Sequence, residues 1–101
     1  MSETLRFSAS VETAFIEEGF DPAYFVTLPE AATSEVAAYR LASGQRGGFG
    51  SLRITARIGG SEWQTTLNAG GGGWSLPIRK PVRLAEAISE GDLVQVEIEL
   101  P

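Results

Sequence analysis

Cysteine and histidine are both absent from this chain of 101 residues. Without cysteine the chain has no disulfide framework and no thiol chemistry. Without histidine it lacks the most common metal ligand and the most common general base. No nucleophile stands beside a suitable base in the sequence, so no catalytic residues are predicted and a non-enzyme is favoured over an enzyme. We also predict no metal site and no cofactor.

Basic residues are scarce, with eight lysines and arginines against thirteen aspartates and glutamates, and the formal net charge is −5. An acidic molecule repels a polyanion unless its cations are clustered, which disfavours nucleic acid as a partner without excluding it. The N-terminus lacks a basic stretch followed by an apolar one, and no apolar run approaches the length of a membrane span. We therefore expect a cytoplasmic protein without membrane contact.

The hydrophobic fraction of 43% is ordinary for a folded domain, and the length suits one hydrophobic core. No linker or low-complexity tail divides the chain, so residues 1–101 are predicted to form a single domain. A core of this size leaves no room for a large internal cavity. Any ligand site is therefore expected in a surface groove.

Apolar and polar residues alternate with period two along most of the chain, which is the spacing of half-buried strands. Residues 52–58 are the clearest example. An alanine-rich stretch before Gly44 and a stretch that begins at Pro81 have helical character instead. The predicted strands cover residues 5–11, 23–28, 52–58, 62–68, 74–78 and 94–100. The predicted helices cover about 30–42, with a start either at Pro29 or nearer Thr33, and 81–88. The prediction is an all-β fold of about six strands with one or two short helices.

The two halves of the chain are weakly similar to each other. Each contains a Leu-Pro pair, at Leu28-Pro29 and Leu76-Pro77, followed by a helical stretch, a glycine-containing turn and an alternating strand. Two such units related by a pseudo-twofold axis close a small barrel and leave no exposed sheet edges. The alternative is that the Leu-Pro pair occurs twice by chance.

Six segments of the chain follow one another in a distinctive order and spacing. They are Phe25-Val-Thr-Leu-Pro-Glu30, Ile54-Thr-Ala-Arg-Ile-Gly-Gly60, Trp63-Gln-Thr-Thr-Leu67, Trp74-Ser-Leu-Pro-Ile-Arg-Lys80, Val82-Arg83 and Gly91-Asp-Leu-Val-Gln-Val96. Together they resemble the bacterial domain-of-unknown-function family 1905 over nearly the whole chain. The resemblance implies a double-split β-barrel, related in architecture to the barrels of AbrB-like and MazE-like DNA-binding regulators. It implies no reaction, because the family has no established activity or agreed catalytic residues.

The densest positive cluster consists of Arg79, Lys80 and Arg83, at a strand end and the start of a helix. These side chains can bind a phosphate, a carboxylate or a nucleic-acid backbone. Arg53 and Arg57 join them if the strand register is right. The alternative, favoured by the excess of acid, is that the arginines pair with glutamates on neighbouring strands. Those glutamates are Glu62, Glu86, Glu97 and Glu99.

Trp63 and Trp74 fall on neighbouring predicted strands, and facing tryptophans can wall a groove that stacks a planar ligand. The alternative is that both belong to the core. The one carboxylate cluster in the sequence, Glu17, Glu18 and Asp21, fits no calcium-loop spacing and is expected to be a solvated turn.

The sequence predicts a small binding or interaction module whose contact surface is a groove formed by Trp63, Trp74, Arg79, Lys80 and Arg83. Its partner is an unidentified small anion or a protein. One alternative is a DNA-binding or antitoxin-like regulator, by analogy with AbrB-like barrels. Another is a carrier or enzyme for a small anionic ligand. Two internal halves can close a barrel within one chain, so a monomer is favoured over a homodimer.

Overall fold

The protein folds as one curled antiparallel sheet with two short helices, in a computed structural model that describes residues 3–15, 19–42, 51–70 and 73–101. Within these ranges there are seven strands, in the order β1-β7-β4-β5-β6-β3-β2 across the sheet. The fold is therefore mostly β, as predicted. In chain order the elements are β1 (Glu3–Ser10), β2 (Glu12–Ala14), β3 (Ala23–Thr27), α1 (Glu30–Ala42), β4 (Ser51–Ile58), β5 (Ser61–Gly70), β6 (Gly73–Ile78), α2 (Lys80–Ala85) and β7 (Leu93–Leu100).

The hydrophobic core lies on the inner face of the curled sheet. Successive side chains of a strand point to opposite faces, so the alternating sequence buries one face and leaves the other in water. Leu67 of β5, Leu76 of β6 and Ile98 of β7 have no exposed surface. The inward residues of β4 and the remaining ones of β7 are also buried, namely Leu52, Ile54, Ala56, Ile58, Val94, Val96 and Leu100.

β1 and β2 lie at opposite ends of the strand order although a single residue, Val11, separates them. β1 pairs with β7 and β2 pairs with β3. The turn before β7 holds the backbone between them, because the Val11 N–H donates to the Asp92 carbonyl and the Gly91 N–H donates to the Val11 carbonyl, each at 2.8 Å. The sheet thereby curls into a half-barrel.

The predicted closed double-split barrel of six strands is not confirmed, because seven strands form within the described ranges. The additional strand is β2, whose three residues, Glu12, Thr13 and Ala14, include no large apolar side chain. Nothing in such a short polar sequence predicts a strand. β2 depends instead on its pairing with β3, in which Thr13 lies opposite Tyr24.

β5 and β6 pair only at the end of β5 and the start of β6, at the positions from Asn68 to Gly70 and from Gly73 to Ser75. The N–H of Leu28, which follows β3, donates to the Trp74 carbonyl. Successive residues of a strand direct their backbone hydrogen bonds to opposite sides, so the even-numbered residues of β6 hydrogen-bond to the β3 side and the odd-numbered residues to β5. The next hydrogen-bonded pair in this register would join Thr66 and Pro77. Proline has no N–H to donate, so the ladder stops and the two strands separate.

α1 spans Glu30–Ala42, within the region predicted to be helical, and it starts next to Pro29 and not near Thr33. Ala32 and Val36, four residues apart, are buried, so the helix packs one side against the sheet. The Tyr39 hydroxyl donates to the carbonyl of Pro101 after the last strand. Within the described ranges neither helix is long and apolar enough to cross a membrane.

α2 ends three residues before its predicted end at Ile88. Glu86 leaves helical geometry, and Ala87 has a φ of +53°. The Ile88 N–H donates to the Arg83 carbonyl at 2.9 Å, and the Ala87 N–H donates to the Leu84 carbonyl at 3.4 Å. This is the hydrogen-bond pattern of a Schellman C-cap. The apolar spacing that suggested a longer helix therefore comes from the packing of the cap, in which Ile88 is buried.

Candidate functional site

Arg79, Lys80 and Arg83 surround the start of α2, where the sequence places them. Arg79 precedes the helix with an extended backbone, and Lys80 is the first helical residue. The Arg83 N–H donates to the Arg79 carbonyl at 3.0 Å. This backbone hydrogen bond places the backbone of Arg79 one helical turn from that of Arg83. We call the surface formed by these three residues and Tyr24 the α2 basic surface.

The Arg83 guanidinium stacks on the ring of Tyr24, with 4.2 Å between its Cζ atom and the ring centroid. Tyr24 lies on β3 opposite Ile78 of β6 and packs against the core, so the sheet holds its ring. A cation above an aromatic face is attracted by the ring quadrupole. Within the described ranges no acid pairs with this guanidinium, and its buried Nε has no hydrogen-bond partner. The charge of Arg83 is therefore fixed in position, and no acid of the described residues neutralises it.

The other two cations of the α2 basic surface are exposed. The Lys80 Nζ lies 3.5 Å from the Asp21 Oδ2, and the two side chains are 64% and 71% exposed. An ion pair this exposed contributes little to stability and opens readily for a competing anion. The Arg79 side chain forms no ion pair or hydrogen bond with the part of the chain that the structure describes.

Glu86, three residues beyond Arg83, contacts the turn between β4 and β5 instead of the basic residues. Its Oε2 accepts a hydrogen bond from the Ser61 hydroxyl at 2.6 Å, and its Oε1 accepts one from the Gly60 N–H at 3.3 Å. Gly59 has a φ of +58°, and a Cβ at this position would collide with the Glu86 Oε1. The absent side chain of Gly59 thus provides the space for this carboxylate.

Four strands carry a row of alternating charges on the outer face of the sheet. Arg6 of β1 lies opposite Glu97 of β7, which in turn lies opposite Arg57 of β4. Arg57 then lies opposite Glu62 of β5. Its guanidinium contacts Glu62 at 2.5 Å and both Glu97 and Glu99 at 2.7 Å. The cross-strand pairing considered above as an alternative is therefore found at Arg57, and we call these five residues the charge row.

Hydrogen bonds shift the pKa values of two residues of the charge row, Arg57 and Glu97. Bonds to Glu99, then to Glu62 and Glu97, raise the pKa of Arg57 above its ordinary value. The bond from Arg57 lowers the pKa of Glu97; partial desolvation opposes this shift and the Arg6 guanidinium adds to it. Arg57 is thus neutralised by its own neighbours and offers little charge to a ligand, whereas Arg6 is exposed and pairs with Glu97 alone.

The two tryptophans lie in different parts of the sheet. Trp74 is 7% exposed and belongs to the core, and the Arg40 guanidinium lies 5.4 Å from its ring centroid. Trp63 is half-buried and lies on β5 opposite Ala56. Trp74 lies opposite Ala69, six residues beyond Trp63 along β5, which is about 20 Å along a strand. The sheet therefore does not bring the two indoles together.

Trp63 lies at the end of the sheet where α2 is located. It follows Ser61 by two residues, and the Ser61 hydroxyl bonds to Glu86 just beyond α2. Its indole Nε1 is buried and donates to no acceptor among the residues described. Of the five predicted site residues, the structure places Trp63, Arg79, Lys80 and Arg83 at one end of the sheet and Trp74 at the other.

Tyr24 is the residue of the α2 basic surface that the sequence did not single out. The aromatic and β-branched run at residues 23–28 predicts a strand, which places Tyr24 on the sheet. The run does not predict which strand lies beside β3. The contact with Arg83 exists because β3 pairs with β6, the strand that leads into α2.

The side chains of the α2 basic surface have the chemistry needed to contact an anion. Two of the three acids in the predicted carboxylate cluster, Glu17 and Glu18, lie outside the described residues, and the third, Asp21, pairs with Lys80. Among the residues that are described, no group of acidic side chains is placed to hold a metal ion. A guanidinium presents its N–H donors in a planar fork that fits two oxygens of a carboxylate or phosphate.

The fold and the site together define a curled antiparallel sheet with two short helices and a cationic surface at one end. The family model described as Domain of unknown function (DUF1905) matches residues 7–98. The chain therefore belongs to this family, and the family predicted from the six segments is confirmed. No curated protein matches the chain.

Proposed function

We propose that the protein is a small binding module that recognises an anionic group, a carboxylate or a phosphate, at the α2 basic surface. The observation that carries this proposal is the fixed position of the Arg83 guanidinium and its lack of an acidic partner among the described residues. The guanidinium is held on Tyr24 at 4.2 Å yet pairs with no acid in the described ranges. In a chain with thirteen acidic and eight basic residues, such a cation has many possible partners. A fixed cation without an acidic partner suits an anion supplied by a ligand.

The three cations have different roles in this proposal. Arg83 presents the edge of a guanidinium whose plane is fixed by the ring, so less conformational freedom is lost when an anion binds. Arg79 is exposed and one helical turn away, and it reaches the same anion from another side. Lys80 adds a point charge when its exposed pair with Asp21 opens.

Two neighbours complete the proposed site. Trp63 lies at the same end of the sheet and supplies an aromatic surface for the remainder of the ligand. Glu86 is three residues from Arg83, a spacing at which helical side chains can pair. Its hydrogen bonds to Ser61 and Gly60 hold it on the β4–β5 turn instead. The proposal leaves out Trp74, because that side chain is 7% exposed.

Thermal unfolding in the presence of anions tests the proposal. A ligand that binds only the folded chain raises the melting temperature once its concentration exceeds Kd. The probes are inorganic phosphate and citrate, compared with chloride at equal ionic strength so that general screening is the same. We expect a saturable rise for the native chain. Arg79→Gln removes a side chain without contacts in the described ranges, so it is expected to weaken the rise without changing the melting temperature in chloride.

A matched control is available on the outer face of the sheet. Arg6→Gln removes one exposed arginine, which pairs with Glu97 and lies on another element. The variant is expected to keep the full response to both anions, whereas Arg79→Gln combined with Arg83→Gln is expected to lose it. No response from the native chain, or equal responses from all variants, contradicts the proposal.

The DNA-binding regulator is distinguished by the same variants. A polyanion binds through many phosphate contacts, so its affinity falls steeply with salt. The three cations of the α2 basic surface are few for this purpose, and the net charge of −5 opposes it. We expect no shift with short duplex DNA at moderate salt. A salt-sensitive shift that Arg79→Gln and Arg83→Gln abolish would favour the regulator instead. Turnover of a bound anion would favour the enzyme or carrier.

We also propose that the protein is a bacterial cytoplasmic monomer and that its curled sheet closes into a double-split barrel. Support for closure comes from Val11, which joins the strands at the two ends of the strand order. A barrel closed by its own first strand needs no second chain. Light scattering during size exclusion is expected to give the mass of one chain, and the mass of two chains would contradict the monomer.

A further inference from the structure

Arg53 and Arg57 lie four residues apart on the outer face of β4, with Thr55 between them on that face, but their surroundings differ. Arg57 contacts three carboxylates of the charge row. Arg53 is exposed, and its side chain forms no ion pair or hydrogen bond with any residue in the described ranges. The strand register explains the difference, because Arg57 lies opposite Glu97 and Glu62 whereas Arg53 lies opposite Thr66. Three carboxylates of this face therefore contact Arg57, and none of the described carboxylates pairs with Arg53.

A groove on the outer face of the sheet begins at Arg53. It has a volume of about 250 Å³, and its polar lining comes from Arg53, Thr55, Gln64 and Glu99. Thr55 lies opposite Gln64 of β5 on one side and opposite Glu99 of β7 on the other. These three side chains form one row across the sheet beside the arginine. At about 30 Å³ for each water molecule, the groove has room for roughly eight waters or a small metabolite.

We infer that this groove binds a small hydroxy or amino carboxylic acid. Arg53 supplies planar N–H donors for the carboxylate of the ligand. The Thr55 hydroxyl and the Gln64 amide can donate further hydrogen bonds beside it. The Glu99 carboxylate accepts a hydrogen bond from the hydroxyl or amino group of the ligand, because carboxylate oxygens have several lone pairs.

Glu99 makes the groove selective. Its Oε2 accepts a 2.7 Å hydrogen bond from the Arg57 Nη2, which fixes the orientation of the carboxylate. A second negative charge on the ligand, as in a phosphate monoester, is repelled by Glu99, whereas a hydroxyl or an ammonium group meets an acceptor. The groove shares no residue with the α2 basic surface, so the two sites stand or fall independently.

A titration followed by NMR at the backbone amides tests this inference. The probes are glycolate and glycine, which carry the second group, together with acetate, which lacks it, and inorganic phosphate. Saturable shifts confined to the amides around residues 53–55, 64 and 99 are expected for glycolate and glycine. Acetate is expected to bind about tenfold more weakly, the effect of one lost hydrogen bond. Phosphate is expected to leave these amides unchanged.

Two variants locate the site. Arg53→Gln removes an exposed side chain without contacts in the described ranges, so the fold is retained and glycolate binding is expected to weaken at least about tenfold. Arg6→Gln makes the same change of charge on the same face and is expected to have no effect. The inference is overturned by the absence of saturable shifts up to about 50 mM probe, by equal binding in Arg53→Gln, or by shifts located at α2.

Discussion

At the scale of single residues, two backbone angles determine how α2 meets the sheet. Gly59 and Ala87 have φ angles of +58° and +53°, in the left-handed region. Glycine adopts this region without a steric penalty, whereas the Cβ of alanine crowds the backbone there. Glu86 bridges the two positions, because it precedes Ala87 and its carboxylate lies in the space above Gly59.

Gly59→Ala is expected to destabilise the fold by about 1–2 kcal/mol. The new Cβ adds backbone strain and displaces the Glu86 carboxylate from Ser61 and Gly60. The measurement is the free energy of unfolding in urea. Gly60→Ala is the matched control, because a Cβ there meets nothing within 4 Å and the Gly60 N–H is kept. Equal losses in the two variants would contradict this explanation of the turn.

Ala87→Gly is expected to stabilise the fold by about 0.5–1 kcal/mol. Glycine at this position relieves the strain of a left-handed alanine and keeps both hydrogen bonds of the C-cap. Ala85→Gly, a change of the same chemistry within the last turn of α2, is expected to be destabilising because glycine disfavours helix. Urea unfolding of both variants checks the opposite signs. A loss of stability in Ala87→Gly counts against the cap geometry.

At the scale of elements, the charge row links four strands through one arginine. Arg57 hydrogen-bonds to carboxylates on both neighbouring strands, β5 and β7. Glu97 is shared between Arg57 and Arg6, so the row continues to β1. Each contact is a cross-strand pair, the unit that reinforces a sheet register on its polar face.

The lowered pKa of Glu97 makes this contribution depend on pH. Its folded pKa lies below its ordinary value of 4.5, so the folded state favours the ionised carboxylate. The resulting stability is fully present above about pH 4.5 and is lost as the pH falls through the folded pKa. We expect the difference in urea midpoint between the native chain and Glu97→Gln to shrink as the pH is lowered from 7 to about 3.

Glu35→Gln is the control for this titration. Glu35 is an exposed acid on α1 outside the charge row, so its loss is expected to change the midpoint little at either pH. A difference between the native chain and Glu97→Gln that stays constant with pH contradicts the proposed linkage.

The sequence predicts elements well where the pattern is local. α1 forms in the region predicted to be helical because the alanine-rich composition and the buried pair Ala32 and Val36 act within one helix. β2 could not be predicted, because it exists only through pairing with β3. The separation of β5 from β6 could be predicted only in part. Pro77 is visible in the sequence, but its effect depends on the register of the β5–β6 ladder, which would place it opposite Thr66 if the ladder continued.

At the scale of the whole molecule, the distribution of the cations matters more than the net charge. Arg6 and Arg57 pair with glutamates on the outer face. Arg53, Arg79 and Arg83 lack acidic partners among the residues described. A molecule of net charge −5 can therefore present local cationic sites. We infer both binding sites from this distribution.

The candidate site could be predicted in part. The basic cluster of Arg79, Lys80 and Arg83 is local in sequence, so its existence needs no tertiary information. Tertiary information is needed to tell which cations remain without an acidic partner, because pairing depends on strand register. The same holds for Trp63 and Trp74: their alternation predicts inward positions, but only the short β5–β6 ladder shows how far apart they lie.

An NMR titration of the arginine Nε–H signals with inorganic phosphate at constant ionic strength tests most directly whether the α2 basic surface binds anions. Saturable shifts are expected at Arg83 and Arg79, because these guanidinium groups lack acidic partners in the described ranges. No saturable shift is expected at Arg57, whose donors bond to three carboxylates. Unchanged Arg83 and Arg79 signals, or equal shifts at all three arginines, would contradict the claim that the α2 basic surface binds anions.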